Sequence, residues 1–379
     1  MPAPRPWALI SGGGTAGHIS PGLAIAEALV GRGVAREEIG WMGSARGLET
    51  RLVPEAGFAL TALPGRGIQR RLTPANLRAL AGLIAGVVLA IGAFARRRPA
   101  IVVALGGYAS VPGVLAAIVW RVPIVLTEQN AVPSAANRLA SRFARACAAP
   151  FPESSLPRST WTGNPVRPEI VAVDRGADGV AARHRLGLAP EQRLLLVMGG
   201  SLGARRINEA LLAALPSWAD RDDLAIHHVA GARDHDSILG RIGDTDLGAL
   251  DYRLVRYEDD MASVYAAADL ALCRAGGNTV AELAVVGLAS VLVPLPGAPG
   301  DHQTANAGAL AAVHAAVVVP DGELDGTRLR TVVDDLLADD DRRIAMHAAA
   351  ASIGRPDAPV GDRRARGSSC PYPTDRSDP

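Results

Sequence analysis

A short apolar run, a glycine turn and a helix with apolar periodicity follow one another twice in this sequence. The first copy is WALI, then SGGGTAGHISPG and a helix that ends near Val30 and is closed by Gly31 or Gly33. The second is RLLLVMGGSLGARRINEALLAAL, with residues 194–198 as the strand. Further apolar runs at IVVALGG, PIVLTEQN, IHHVAG, DLALCRAGG and ASVLVPLP continue this alternation. Such alternation predicts an α/β protein with two doubly wound, Rossmann-like domains that face a cleft.

The domain boundary is expected in TGNPVRPEI, residues 162–170, where prolines and a glycine interrupt the pattern. This predicts a first domain at residues 1–165 and a second at 166–353, and 379 residues suffice for two cores. The last segment, 354–379, is rich in Pro, Arg and Asp, so we predict a tail that is disordered from about Pro356. The segment DRGADGV, residues 174–180, offers no convincing metal ligands and is interpreted as a linker.

The composition excludes several classes of function. The 39 basic residues, all arginine, nearly balance 38 acidic ones, and their mixing along the chain argues against a nucleic-acid partner. A chain without lysine cannot form a Walker A loop or a pyridoxal phosphate Schiff base. The 3 cysteines are widely spaced, so neither a disulfide framework nor a zinc site is indicated. The first ten residues, MPAPRPWALI, do not resemble a secretory signal.

The first glycine turn matches the G-x-G-x-x-G fingerprint through Gly12, Gly14 and Gly17. An NAD site also needs an acidic residue at the end of the second strand, where IGWMGSARG supplies none, so NAD binding is disfavoured. The turn is still expected to bind an anion at a helix N-terminus, with the ring of His18 beside it for function or for structure. The second turn, GGSLGA, repeats this logic with Ser201. Glu282 either compensates the dipole of the helix after Gly277 or accepts ribose hydroxyls.

The run ALAGLIAGVVLAIGAFA, residues 79–95, is uncharged and is flanked by arginines. A membrane-spanning helix needs about 20 apolar residues. We therefore weigh a buried core helix against an apolar patch, from about Leu80 to about Phe94, that docks on a bilayer.

Seven motifs between Trp7 and Ile353 occur in the order found in one bacterial enzyme family. They are GGGTAGHISPGLAIAEAL, GGYASVPG, EQN, GNPVR, GGSLGA, CRAGGNTVAEL and DHQTANA. The chain therefore resembles the MurG family of UDP-N-acetylglucosamine transferases. The resemblance implies a GT-B glycosyltransferase that transfers N-acetylglucosamine from UDP-N-acetylglucosamine, with inversion, to lipid I and so forms lipid II. It also implies a peripheral position on the cytoplasmic face of the cell membrane, with a membrane- and acceptor-facing first domain and a donor-binding second domain.

The resemblance also implies roles for single residues. His18 is interpreted as the catalytic base, or instead as a phosphate contact, and no cofactor is required, although magnesium can assist. The implied substrate-binding residues are Thr15, Ala16 and Gly17 at the first turn, Tyr108 on the acceptor side, Asn130 and Gln303 at the sugar, Arg167 and Ser201 at the diphosphate, Glu258 through its backbone at uracil, and Gly277, Asn278, Thr279, Val280, Ala281 and Glu282 at the nucleoside.

Two alternatives stay open at this point. A UDP-N-acetylglucosamine 2-epimerase shares the two-domain architecture, although GGYASVPG and GNPVR favour the transferase. A non-catalytic UDP-sugar-binding paralogue is the other, because family members ordinarily end with a helix that returns to the first domain, and the composition of 354–379 does not support such a helix.

Overall fold

The computed structural model describes residues 6–65, 74–200, 203–243 and 245–358. The chain forms two compact units. The first contains residues 1–167 and the residues from 355 onward, and the second contains residues 168–354. Ser201 and residues 359–379, most of the expected tail, lie outside the described residues.

The first unit is built on a seven-stranded sheet in the order β3-β2-β1-β4-β5-β6-β7, in which every neighbouring pair is parallel. Its strands are β1 (Ala8–Gly12), β2 (Ile39–Ser44), β3 (Ala59–Leu63), β4 (Ile101–Gly106), β5 (Ile124–Thr127), β6 (Ala146–Ala149) and β7 (Ser159–Trp161). Its helices are α1 (Ala16–Val30), α2 (Glu49–Glu55), α3 (Pro74–Arg96), α4 (Val111–Val119) and α5 (Ala135–Ala140).

The second unit has a six-stranded parallel sheet in the order β10-β9-β8-β11-β12-β13. Its strands are β8 (Arg193–Met198), β9 (Leu224–Val229), β10 (Asp251–Val255), β11 (Leu270–Cys273), β12 (Ser290–Leu292) and β13 (Ala316–Val318). Its helices are α6 (Pro168–Val171), α7 (Arg175–Arg185), α8 (Arg205–Ala214), α9 (His235–Ile242), α10 (Met261–Ala267), α11 (Gly277–Val286), α12 (His302–Ala312), α13 (Gly326–Ala338) and α14 (Asp340–Ile353).

Both sheets place their first strand centrally and reverse the winding direction beside it. The reversal lies between β1 and β4 in the first unit and between β8 and β11 in the second. All residues of β1, β4 and β11 are buried, as continuous apolar strands covered by helices on both faces should be. The doubly wound α/β prediction is confirmed for each unit, and ligands of such sheets bind at the carboxyl ends of the strands where the winding reverses.

The linker interpretation of residues 174–180 is wrong, because this segment begins helix α7. The side chain of Asp174 caps the helix by accepting hydrogen bonds from the N–H groups of Gly176 and Ala177. Arg175 then donates to the carbonyl of Gly287 at 2.8 Å and contacts Nδ1 of His347 at 2.8 Å. Burial lowers the pKa of Arg175 to about 10. The polar residues at the start of α7 are therefore a cap and a buried anchor.

Helix α3 divides the uncharged run between core and surface. Ala79, Ala90 and Phe94 are at most 2% exposed and pack in the core, so Phe94 is corrected out of the predicted surface patch. The opposite face carries exposed apolar side chains, namely Leu77, Leu80, Ile84, Val88 and Leu89. Among the described residues, this is the one helix long and apolar enough to cross a membrane by length and composition, and 22% of the apolar window is buried.

After α14 the chain returns to the first unit without forming a helix. The guanidinium of Arg355 lies 3.6 Å from the centre of the Trp161 ring, and Ala358 is 2% exposed. A Cβ on Gly163 would lie 2.4 Å from Cβ of Arg355, so glycine makes room for this contact. Residues 355–358 therefore pack on the first unit as a turn, so the disorder predicted from about Pro356 is wrong for residues 356–358.

Candidate active site

The carboxyl ends of β1 and β4 bring together several residues that the sequence singled out. Thr15 is the N-cap of α1, but its hydroxyl lies 3.3 Å from Nδ1 of His18 and does not cap the helix. The ring of His18 rests on Gly107, where an added Cβ would lie 3.4 Å from its Cε1 atom. The ring of Tyr108 lies against Gly14 in the same way, at 3.5 Å. His18, Thr15 and Tyr108 thus gather around two glycine turns.

The loop after β5 positions Asn130 through a buried carboxylate. Glu128 is 2% exposed, and its Oε1 atom accepts from the backbone N–H of Asn130 at 3.0 Å. Its Oε2 atom accepts from Asn137 Nδ2 at 2.7 Å and from the N–H of Ser134 at 3.1 Å. Glu128 therefore fixes the backbone on which Asn130 stands, a role that the sequence reasoning missed.

A second buried carboxylate, Glu49, also escaped the sequence reasoning. Its Oε2 atom accepts from the N–H of Gly14 at 2.8 Å, and its Oε1 atom accepts from the N–H of Ser44 at 2.7 Å. The protein itself therefore occupies the N–H of Gly14. Anion binding by the other N–H groups of the first turn and of the N-terminus of α1 stays a prediction. In the sequence, the signal that could have pointed to Glu49 is its position: it is an acidic residue at the start of α2, five residues after the end of β2.

The second unit contains a cavity of about 550 Å³ at the ends of β8 and β11. The first turns of α8 and α11 contribute to its wall, so two helix N-termini with their partial positive charge point toward it. Four arginines line the cavity: Arg205, Arg206, Arg233 and Arg274. This combination of arginines and helix N-termini is suited to a diphosphate.

Two of these arginines are held by acidic partners. Arg233 is paired with Asp234 at 2.8 Å, and this hydrogen bond lowers the pKa of the Asp234 carboxyl. Arg274 lies 2.6 Å from Asp321 and donates to the carbonyl of Val293 at 3.1 Å. The positive charge at the cavity is thus fixed in position.

Glu282 lies in the second turn of α11, because the helix begins at Gly277. First-turn dipole compensation is therefore not its role. The hydroxyl of Tyr265, which is 1% exposed, donates to its Oε2 atom at 2.9 Å. Burial, together with the Glu282 charge, raises the pKa of Cys273 to about 12, so this thiol stays protonated at neutral pH. Glu282 is half-buried and oriented, as a carboxylate that accepts from a sugar must be.

The side chain of Glu258 has a structural role, whereas the resemblance implied only a contact of its backbone with uracil. It contacts Nε2 of His227 at 2.8 Å and accepts from the N–H of Asp260 at 2.7 Å. Burial lowers the pKa of His227, although the Glu258 charge opposes this shift. Glu258 therefore ties the loop after β10 to β9.

The motif DHQTANA places one residue at the cavity and one beneath it. Gln303 lines the cavity, and its Oε1 atom accepts from the N–H of Leu295 at 2.9 Å. Asn306 is fully buried and donates to the carbonyl of Ala275 at 3.0 Å, which braces the turn before α11. The sequence reasoning had selected only Gln303.

The other predicted residues divide by position. Thr279 lines the cavity, whereas the side chain of Val280 is 1% exposed and belongs to the core. The backbone N–H of Val280 also donates to the carbonyl of Gly276 at 2.9 Å. Its N–H group is therefore used within the protein and not by a ligand. Arg167 is half-buried in the first unit. The other predicted substrate-binding residues are half-buried or exposed, namely Ala16, Gly17, Gly277, Asn278 and Ala281.

Among residues 6–65, 74–200, 203–243 and 245–358, no group of three His, Cys, Asp or Glu side chains is placed to hold a metal ion. The polar chemistry of the two strand-end regions is instead that of arginines, oriented carboxylates, amides and one histidine. These groups can bind a nucleoside diphosphate in the second unit and orient a proton acceptor in the first.

Two family models match the chain. The glycosyltransferase family 28 N-terminal domain matches residues 8–149, and the glycosyltransferase family 28 C-terminal domain matches residues 194–359. These matches fall one on each unit.

The chain is also similar to known proteins, both in sequence and in structure. The chain is 43% identical, over 92% of its length and 95% of the relative's, to the UDP-N-acetylglucosamine–N-acetylmuramyl-(pentapeptide) pyrophosphoryl-undecaprenol N-acetylglucosamine transferase of Moorella thermoacetica. The crystal structure of MurG from Acinetobacter baumannii is 28% identical with a TM-score of 0.72, covering 94% of this chain and 97% of that one. A UDP-N-acetylglucosamine 2-epimerase structure shares the fold at 13% identity, with a TM-score of 0.60 and coverage of 94% and 93%.

Proposed function

This chain belongs to the MurG family of glycosyltransferases, and from that premise we propose that it transfers N-acetylglucosamine from UDP-N-acetylglucosamine to undecaprenyl-pyrophosphoryl-N-acetylmuramoyl-pentapeptide, lipid I. The product is lipid II, a precursor of peptidoglycan. The arginine-lined cavity of the second unit is the structural observation on which this proposal depends most.

UDP-N-acetylglucosamine binds in this cavity, with its diphosphate on the arginines and on the N-termini of α8 and α11. Negative charge grows on the diphosphate as the bond to the sugar breaks, so donors already fixed there favour the transition state over the ground state. Glu282, oriented by Tyr265, accepts from the ribose, and Gln303 contacts the sugar. For Arg167, which belongs to the first unit, and for Ser201, which lies outside the described residues, a role at the diphosphate stays a prediction from the resemblance.

The acceptor binds the first unit, and His18 takes the proton of its attacking hydroxyl. Attack on the anomeric carbon from the face opposite the leaving UDP inverts that centre, and a single base is sufficient for this step. Support comes from the contact of His18 with Thr15 and from the packing of Tyr108 and Gly107 around the same turns. Asn130, on the backbone held by Glu128, faces the sugar.

We also propose that the exposed face of α3 lies on the cytoplasmic surface of the membrane that carries the acceptor. Leu77, Ile84 and Val88 are 57% to 72% exposed, which a globular surface alone does not favour at helical spacing. Arg78 precedes this face, and exposed arginines 96–98 follow it, where they can meet lipid headgroups.

Magnesium is not required in this mechanism, because Arg205 and Arg206, together with the N-termini of α8 and α11, supply positive charge to the leaving diphosphate. Transfer should therefore persist when EDTA replaces magnesium in the assay, and magnesium should at most raise its rate. A complete loss in EDTA that magnesium restores would mean that the arginines are insufficient.

The test of the function is release of UDP from UDP-N-acetylglucosamine with and without a short-chain lipid I analogue. We expect acceptor-dependent release and a disaccharide product. Formation of UDP-N-acetylmannosamine without acceptor would identify an epimerase, whose fold alone is similar. Donor binding without turnover would identify a non-catalytic paralogue.

A further inference from the structure

Glu49 is a fully buried carboxylate at the point where two strand-end turns meet, and no described arginine or histidine forms a salt bridge with it. It is 0% exposed. Its two oxygens accept from backbone N–H groups on different turns, at 2.8 Å from Gly14 after β1 and at 2.7 Å from Ser44 at the end of β2. A buried carboxylate is costly unless its oxygens are hydrogen-bonded, and these two bonds supply that compensation.

Three glycines make room for this carboxylate. A Cβ on Gly13 would lie 2.2 Å from Oε1 of Glu49, and one on Gly47 would lie 1.9 Å from Oε2. A Cβ on Gly43 would lie 2.9 Å from Cγ of the same side chain. The glycines of the first turn therefore serve in part to admit a side chain of the protein itself.

The position of the carboxylate limits what this dinucleotide-like turn can offer to a pyrophosphate. In dinucleotide-binding sheets, the turn after the first strand offers its N–H groups to a pyrophosphate at the N-terminus of the following helix. Here the N–H of Gly14, one residue before the N-cap Thr15, is already bonded to an anion from α2. Glu49 thus stands in for the phosphate.

We propose that Glu49 is a positioning residue for glycosyl transfer, an internal anion that locks the first glycine turn and thereby sets Thr15 and His18 in place. Gly14 is joined directly to Thr15, and the Thr15 hydroxyl lies 3.3 Å from Nδ1 of His18. Moving Gly14 therefore moves the ring that accepts the proton. This inference depends on the function proposed above and deepens it.

The first test is a double-mutant cycle on the full-length chain, with Glu49→Gln and His18→Ala singly and together. Gln keeps the size of the side chain but turns one acceptor into a donor that faces an N–H group. Because small misplacements of a catalytic group cost about 10²-fold in rate, kcat for lipid I analogue should fall by about 10²-fold in Glu49→Gln. The KM for UDP-N-acetylglucosamine should stay unchanged.

The cycle separates positioning from general damage. If Glu49 acts through His18, Glu49→Gln should cost little further activity once His18 is alanine. Losses that multiply in the double variant would overturn the proposal. Glu27→Gln is the matched control, since Glu27 pairs with Arg36 on the partly exposed side of α1 and should leave kcat unchanged.

A second variant repeats the activity test, and a second readout does not depend on activity. Gly47→Ala keeps the charge of Glu49 but displaces its carboxylate, so it should reduce kcat in the same direction. Hydrogen exchange of the Gly14 amide should accelerate in both variants. Protection of that amide equal to wild type in a folded Glu49→Gln protein would refute the lock. Absence of acceptor-dependent turnover in the wild type would instead refute the proposed function and leave the exchange result valid.

Discussion

At the scale of single residues, the first unit contains buried carboxylates that accept hydrogen bonds from backbone N–H groups and not from water. Glu49 and Glu128 are 0% and 2% exposed, and their oxygens accept from N–H groups of strand-end loops. Loops that must hold a fixed shape beside a substrate have few backbone partners of their own, because they lie outside the sheet. Buried side-chain acceptors provide that order at the two turns where His18 and Asn130 stand.

Glu282 offers a comparable test in the second unit, through the hydroxyl of Tyr265. Tyr265→Phe removes the 2.9 Å hydrogen bond but keeps the ring packing. Without this bond Glu282 must be ordered by UDP itself, and this ordering cost should raise the Kd for UDP by up to about tenfold. Isothermal titration calorimetry with UDP measures this change.

The control for that prediction is Tyr252→Phe, which also removes a buried hydroxyl. The Tyr252 hydroxyl lies 2.6 Å from Nδ1 of His228, away from Glu282. Its loss should lower the unfolding temperature while UDP affinity stays at the wild-type value. Equal weakening of UDP binding in both variants would assign the Tyr265 effect to loss of stability.

At the scale of elements, the sequence predicts the strands, turns and helices that depend on residues close together in the chain. Apolar runs and glycine turns predict β1, β4, β8 and β11 and the helices that follow two of them, because burial of a strand and the turn after it are local patterns. The contacts of Glu49 with Gly14 and of Arg175 with His347 join residues 35 and 172 positions apart. Charged residues are rarely buried, so composition gave no reason to place Glu49 inside or Arg175 partly inside.

The apolar face of α3 should bind lipid bilayers, and charges placed on it should weaken this binding. Ile84→Asp with Val88→Asp places two charges near the middle of this face, where the side chains are 57% and 63% exposed. We expect binding to vesicles of anionic phospholipid to fall by at least about tenfold, since burying one such side chain is worth roughly 1.5 to 3 kcal/mol. Vesicle cosedimentation measures the loss.

A matched surface substitution keeps that result specific. Leu239, on α9 of the second unit, is 56% exposed, and Leu239→Asp should leave vesicle binding at the wild-type level. Neither variant should change the unfolding temperature, because these side chains make few core contacts. Equal loss of binding in Leu239→Asp would show that net charge, and not the α3 face, controls the association.

At the scale of the whole molecule, the two units repeat one strand order but differ in their buried polar groups. Of 8 histidines, only His18 lies in the first unit. In the second unit, burial lowers the pKa of His228 to about 3 and that of His347 to about 4, and it also lowers the pKa of His227. His228 sits between Tyr252 and Asn208, and His347 accepts from the N–H of Ala289 at 2.9 Å. Buried, neutral histidines are thus part of the second unit, whereas the described residues of the first unit include no buried histidine.

Acid should therefore destabilise the second unit before the first. A histidine with a native pKa below its ordinary value of 6.5 takes up a proton more readily in the unfolded chain, so stability falls as pH drops below 6.5. Each such group costs about 1.4 kcal/mol per pH unit until its native pKa is reached. The carboxyls with lowered pKa values contribute only near and below their ordinary value of 3.8, which leaves pH 6.5 to about 4 to the histidines.

Hydrogen exchange at pH 7, 6 and 5, corrected for the intrinsic rate, measures this difference between units. Protection of the amides in β8 and β11 should fall with pH, while that of β1 and β4 should change little. His347→Gln removes one titrating group and should flatten the decline by about 1.4 kcal/mol per pH unit, the share of one histidine. His184→Gln changes an exposed histidine of α7 and should leave the decline as it is. A parallel fall in both sheets, or an unaltered slope in His347→Gln, would place the acid sensitivity elsewhere than in the buried imidazoles.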